Sequence, residues 1–187
     1  MHFSPVVVRG ATALWFLSAC ALWVTSARAE CRPVPAGAQA GQRWIVASDR
    51  VHDRRRALEW QRCPLGTVSV RGECRGSARL LNHVEASRQA RQLGPGWRLP
   101  TVDELIDLLA LRCPHAVAGG KALPGLHELA EGKAKYWSRT PVRELPGLYY
   151  NVDFLDGGID ANTRGIAMGV RLVRDLPPQV PGRVMPR

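Results

Sequence analysis

The chain has 187 residues, 45% of them hydrophobic, and its 26 Lys and Arg against 16 Asp and Glu give a formal net charge of +10. That length suits one domain of modest size and leaves no room for several independent cores. The basic balance favours acidic partners such as anionic polysaccharide, lipid headgroups or nucleic acid. No motif of a nucleic-acid-binding module is present, which argues against the last of these.

At the N-terminus, His2 and Arg9 precede an apolar run from Ala11 to Val24, and Ala27-Arg28-Ala29 supplies a small-x-small pattern before Glu30. Residues 1–29 read as a secretory signal peptide, too short and wrongly flanked for a membrane span. Leu17-Ser18-Ala19-Cys20 offers a rival, because it resembles a lipobox whose Cys20 would carry lipid and hold the protein at the outer membrane. The apolar run continues through Ala21-Leu22-Trp23-Val24, where a lipoprotein turns polar, so cleavage after Ala29 is the expectation. Removing this segment takes away Arg9 and Arg28 but no acid. A basic exported chain remains, periplasmic or at the cell surface, with no transmembrane span.

Four cysteines follow, Cys31, Cys63, Cys74 and Cys113, and an even number in an exported chain implies two disulfides with three possible connectivities. Cys63 and Cys74 lie close in sequence around Gly66 and Gly72, so a loop-closing bridge between them is expected, leaving Cys31 for Cys113. The longer closure is worth more chain entropy, about 4 kcal/mol against about 3.

Residues 30–42 are rich in Pro, Ala and Gly and read as a lead-in. "RWIVASDRV" alternates as one edge strand, Arg54, Arg55 and Arg56 make a basic turn, and a second strand runs through Leu58 and Trp60. "CPLGTVSVRGEC" reads as a hairpin closed by its own bridge. Asn82 and Glu85 form a capping box for a first helix, stopped by Gly94-Pro95-Gly96, with a thin apolar stripe of Val84, Ala86, Ala90 and Leu93. Thr101 and Glu104 form a second capping box, Asp103 and Glu104 complement the helix dipole, and Val102, Leu105, Ile106, Leu108, Leu109 and Leu111 cover much of that helix. Cys113-Pro114 ends it.

Residues 114–135 carry Gly and Pro without periodicity and read as a long irregular connection. "KYWSRTPV", "LYYNVDFLDGGI" and "IAMGVRLVRD" then read as a terminal antiparallel meander, with Asp156-Gly157 as a turn signal. Residues 175–187 form a Pro-rich tail. Strands, two helices, a long loop and more strands predict an α+β domain with helices on one side of an antiparallel sheet.

Several of these segments together resemble the bacterial family named for the C-terminal domain of the Legionella collagen-like adhesin. Trp97-Arg98-Leu99-Pro100-Thr101 with Glu104-Leu105 is similar to its central signature, and Asp53 through Trp60-Gln61-Arg62-Cys63 to its early Asp-x-x-Thr-Gly-Leu-x-Trp segment. Cys63-Pro64-x-Gly66 up to Cys74 and Gly76 matches its hairpin, and Tyr136-Trp137-Ser138-x-Thr140-Pro141 its Tyr-Trp-Ser-Ser-Thr motif. Val152-Asp153-Phe154, Asp156-Gly157 and Val170-Arg171-Leu172-Val173-Arg174 match its final strands. The resemblance covers residues 43–174. It implies a C-type-lectin-like fold related to the formylglycine-generating enzymes, export, and binding rather than catalysis. In the adhesin that names the family, the domain is linked to binding sulfated glycosaminoglycans. Two departures add charge: Arg56-Ala57 replaces the Thr-Gly, and Arg139 replaces the second Ser.

Trp60, Trp97 and Trp137 could stack on sugar rings, but buried core aromatics are the commoner use. Arg98, Arg171 and Arg174 are expected to pair with Asp153, Glu104 or carbonyls inside the fold. Arg54, Arg55, Arg56 and Arg139 are the better ligand candidates, because they depart from the family pattern at turns expected to be exposed, although a solvated charge run is the commoner use of such residues. Asp153, Asp156 and Asp160 lack the spacing of a calcium loop and fit a turn better. Cys113-Pro114-His115 fits a disulfide half rather than a nucleophile, and His52, His83 and His127 have no recurrent spacing with Cys or acids. No catalytic set assembles, and neither cofactor nor metal is expected. The reading is therefore a binding module for an anionic polysaccharide or a surface protein; a structural part of an envelope assembly is the alternative, and a sulfatase-modifying type of enzyme the most remote.

Overall fold

A computed structural model describes residues 43–109, 119–127, 129 and 133–177. Residues 1–42, read from the sequence as a signal peptide and lead-in, lie outside the described residues together with Cys20, Cys31, Cys113, His115 and the residues after 177, as does the expected Cys31–Cys113 pairing. The fold is α+β. Among the described residues there are three antiparallel sheets rather than the one that the sequence suggests.

The first sheet begins with a hairpin of β1 (Trp44–Ala47) and β2 (Arg50–Asp53). One strand was expected across this stretch, but Ser48 adopts a φ of 51° and turns the chain back. The turn has no glycine to announce it, and the apolar alternation runs on through it. After Arg54–Ala57 the chain returns as β3 (Leu58–Gln61), which pairs with β2 on one edge and with β9 (Val173–Asp175) on the other. The last strand therefore leaves the terminal meander and closes the N-terminal sheet. Its approach, Met168–Leu172, is buried at every position. It threads between elements through single bridges, Leu81 to Met168 and Tyr136 to Gly169. A segment with no solvent face carries no alternation to show which sheet it joins.

The second sheet is the hairpin of β4 (Thr67–Val70) and β5 (Glu73–Gly76), stapled as expected by Cys63–Cys74 with a Cα separation of 5.5 Å. Gly66 at its entry has a φ of +95°, and a Cβ there would stand 2.7 Å from the Ser77 carbonyl, so the position requires glycine. The third sheet is a meander of β6 (Lys135–Pro141), β7 (Leu148–Asp153) and β8 (Ile159–Thr163).

Helix α1 (His83–Leu93) and helix α2 (Val102–Leu108) both start with the predicted capping boxes. Asn82 Oδ1 accepts the Glu85 amide at 2.9 Å, and Thr101 Oγ1 accepts the Glu104 amide at 3.2 Å. The buried face of α1 differs from the expected stripe. His83, Ala86 and Ala90 are buried, whereas Val84 and Leu93 are exposed. Ile106 of α2 is likewise exposed.

The residues after α2 contribute more than an irregular connection would. They include a short helix, α3 (Gly119–Ala122), and Ala122, Leu123, Leu126 and Leu129 all enter the core. They pack with Val51, Leu58, Trp60, Leu105, Leu108, Tyr136, Val152, Phe154 and Val173 in one cluster. A second cluster under α1 gathers Leu81, Ala86, Ala90, Trp97, Leu99, Trp137, Met168, Val170 and Leu172.

Candidate ligand-binding surface

The segment Trp97-Arg98-Leu99-Pro100 is an anchor for α2. Trp97 and Leu99 are buried in the second cluster, and Pro100 is buried before the cap. Arg98 donates from Nη1 and Nη2 to the two oxygens of Glu104 at 2.8 and 2.9 Å, and to Asp175 Oδ1 at 2.6 Å. The Arg98 amide and carbonyl also bridge Val173. Start of helix, last strand and cap are thus joined by one side chain.

Arg171 is fully buried, and among the described residues it meets no carboxylate within hydrogen-bond range. It donates to the carbonyls of Gln61, Arg62 and Pro124, the first at 3.2 Å and the last at 2.6 Å. Burial depresses its basicity, with Tyr136 opposing that effect. Arg174 donates to Glu59 at 2.7 Å. Of the partners expected for these arginines, Glu104 and backbone carbonyls are used, while Asp153 Oδ1 accepts the Leu155 amide at 2.9 Å. Asp156 accepts the Gly158 amide, and Asp160 pairs with Lys135 at 2.6 Å, so all three aspartates are engaged around this hairpin.

Trp60, Trp97 and Trp137 are buried and offer no stacking face to solvent. The guanidinium groups of Arg50 and Arg174 lie 4.7 and 5.0 Å from the Trp97 ring centroid and cover it.

The tribasic turn is exposed, and it is placed against α2. Arg55 and Arg56 both reach Asp107, the latter at 3.3 Å, while Arg43 bonds Asp107 and Asp53. Arg43 Nη2 stands 2.6 Å from Asp53 Oδ2, and Asp53 Oδ1 accepts the Arg55 amide. Burial alone would raise the Asp107 carboxyl, but hydrogen bonds from Arg55 and Arg56 and the charge of Arg43 hold it below the usual carboxylate value. Three arginines, Arg43, Arg55 and Arg56, therefore share two aspartates, and Arg54 adds a further positive charge to the same exposed turn. Arg139 is exposed at the other end of α2, where its amide donates to Pro100 at 2.7 Å. The candidates thus form two basic points on either side of one helix.

Sequence reasoning missed Asp107, His83 and Arg62. Asp107 had a signal: with Asp103 it makes the polar side of α2 acidic, complementary to a basic turn elsewhere. His83 had none. It stacks on Tyr149 with centroids 3.8 Å apart and meets the edge of Trp137 at 5.2 Å. Its Nε2 donates to the Ser138 carbonyl at 3.0 Å. Arg164 covers the Tyr149 ring at 5.2 Å. Among the described residues no three His, Cys, Asp or Glu side chains converge as metal ligands would, and no helix is long and apolar enough to cross a membrane.

This is a disulfide-stapled α+β domain whose signature residues hold the fold together and whose exposed chemistry is basic. The family model for the Lcl C-terminal domain matches residues 49–174, more than half of the chain, and the chain belongs to that family. No curated protein matches it.

Proposed function

We propose that the protein is an exported, non-enzymatic binding module that recognises anionic polysaccharide in adhesion-type contacts. The observation that carries this reading is the basic surface beside α2, where Arg43, Arg55 and Arg56 share Asp53 and Asp107 and, with the exposed Arg54, keep surplus positive charge at the turn. Planar guanidinium groups match sulfate and carboxylate geometry, and the ion pairs with Asp107 already restrain Arg55 and Arg56 on the folded surface. Membership of the Lcl C-terminal domain family supports an adhesin-type role. A glycan array read at two salt concentrations tests the proposal. Sulfated or uronate-rich chains are expected to bind at low salt and weaken at high salt; an array blank at both refutes it.

Export follows from the N-terminal pattern, and the intact mass of the protein recovered from the cell envelope tests it. A chain beginning at Glu30 is expected. A mass retaining residues 1–29 would overturn export by cleavage there, and a lipid adduct on Cys20 would replace it with a lipoprotein.

A further inference from the structure

One edge of the molecule combines exposed aliphatic side chains with cations in a way that polysaccharide binding does not use. The β1–β2 and β4–β5 hairpins bring their turns together there, and Arg62 joins them. Its Nη1 donates to the Ser48 carbonyl at 3.4 Å and its Nη2 to the Gly72 carbonyl at 3.3 Å, with Lys121 O of α3 at 3.4 Å. All three acceptors are backbone carbonyls, so the charge of Arg62 is not neutralised by them.

On these paired hairpins, Ile45 is 47% exposed, Val46 44%, Val68 62% and Val70 44%. Scattered exposed aliphatics are ordinary, but Val68 and Val70 stand on one face of β4, and consecutive Ile45 and Val46 put one more β-branched side chain on each face of β1. The hairpins are rigid: Cys63–Cys74 closes one, and Arg62 ties both. Between them lies a cleft of about 240 Å³ that Arg50 and Val68 line together. Arg71 is exposed at the tip of the second hairpin, Arg75 stands opposite Val68, and Lys121 is exposed beside them. The acids on these hairpins are Asp49, which pairs with Arg50, Glu73, which pairs with Arg75, and Asp53 at the end away from the turn, which pairs with Arg43; Glu59 of β3 also reaches Arg50 at 3.5 Å. Five cations, Arg50, Arg62, Arg71, Arg75 and Lys121, thus face three acids, Asp49, Glu59 and Glu73, and positive charge remains in surplus.

We propose that this edge docks on the surface of an anionic lipid bilayer. Cations draw it to acidic headgroups, and the valines and isoleucine enter the boundary between headgroup and acyl chain. A sulfated polysaccharide would satisfy the cations but has no use for the aliphatic side chains, which is why the lipid surface fits better. The site is separate from the basic surface beside α2, so the two proposals stand or fall independently.

Co-sedimentation with vesicles tests it, using phosphatidylcholine alone and phosphatidylcholine mixed with phosphatidylglycerol at roughly one part in three. The exported protein, Val68→Ser/Val70→Ser and Arg71→Ser are compared, all with the same N-terminus so that differences report on the hairpins. The wild-type protein is expected to bind the anionic vesicles at low salt and not the zwitterionic ones. The double valine variant should bind them about tenfold more weakly, with an unchanged melting temperature and unchanged polysaccharide binding. Arg71→Ser should bind more weakly and with a shallower salt dependence. Vesicle binding insensitive to the valines, or equal on both vesicle types, would overturn the proposal. Polysaccharide binding without vesicle binding would overturn it while leaving the proposed function intact.

Discussion

Arg98 and Glu104 form a two-bond ion pair at 2.8 and 2.9 Å, and the same carboxylate accepts the Thr101 amide at 2.7 Å to complete the helix cap. One glutamate thereby fixes the start of α2 and the approach of the last strand. Glu104→Gln keeps the cap's shape but loses the charge that Arg98 needs. It is expected to cost about 2 kcal/mol, and Arg98→Lys about the same, because an ammonium does not reproduce the fork. Urea unfolding measures both; a loss below that of an ordinary surface pair would remove Arg98 from its anchoring role.

Arg171 is a second internal fastening, and its acceptors come from the end of β3 and from the segment after α3. Arg171→Ala leaves three carbonyls and a cavity in the interior. A loss of about 4 kcal/mol is expected, visible as a fall in melting temperature or as failure to accumulate. Arg171→Lys should recover part of it, because one ammonium can satisfy some of the three carbonyls.

Asp107 competes with any external anion for Arg43, Arg55 and Arg56. Asp107→Asn should therefore bind a sulfated polysaccharide about threefold more tightly, although it loses about 1 kcal/mol of stability. The acid side follows too. Because the folded carboxyl titrates below its ordinary 3.8, its contribution is present above that pH and is lost as pH falls through the lower folded value. The Asn variant should lack that component of the acid transition. Weaker polysaccharide binding by this variant would show that Asp107 orders the arginines for the ligand and does not compete with it.

Burial pushes the His83 imidazole below its usual 6.5, the Ser138 carbonyl opposes this, and the charge of Arg164 adds to it. A histidine with a lowered folded value binds fewer protons folded than unfolded between the two values, so its stabilisation is full above about pH 6.5 and declines below it. Melting temperature should fall from pH 7 to pH 5 more in the wild type than in His83→Gln, whose amide can still donate to Ser138. Parallel profiles would remove His83 as the source.

The features readable in the sequence were those that act over a few residues. The capping boxes at Asn82 and Thr101 and the Cys63–Cys74 closure depend on local spacing, and each lies where the pattern put it. The features it hid depend on partners far along the chain. Ser48 turns β1 into β2 without a glycine, Val173–Asp175 crosses to β3, and His83 is buried by Tyr149 and Trp137 rather than by its own helix periodicity. The tribasic turn was visible, but Asp107 opposite it was not, since charge complementarity between a turn and a helix requires the fold. Trp97 and Arg98, conspicuous in sequence, serve packing.

The most direct test of the central claim is the affinity of the protein for an immobilised sulfated polysaccharide, measured beside a variant with Arg54, Arg55, Arg56 and Arg139 each replaced by serine. The account predicts salt-sensitive binding by the wild type and a loss of at least about tenfold in the variant, with the melting temperature lowered only slightly. Equal binding by the two proteins would contradict it.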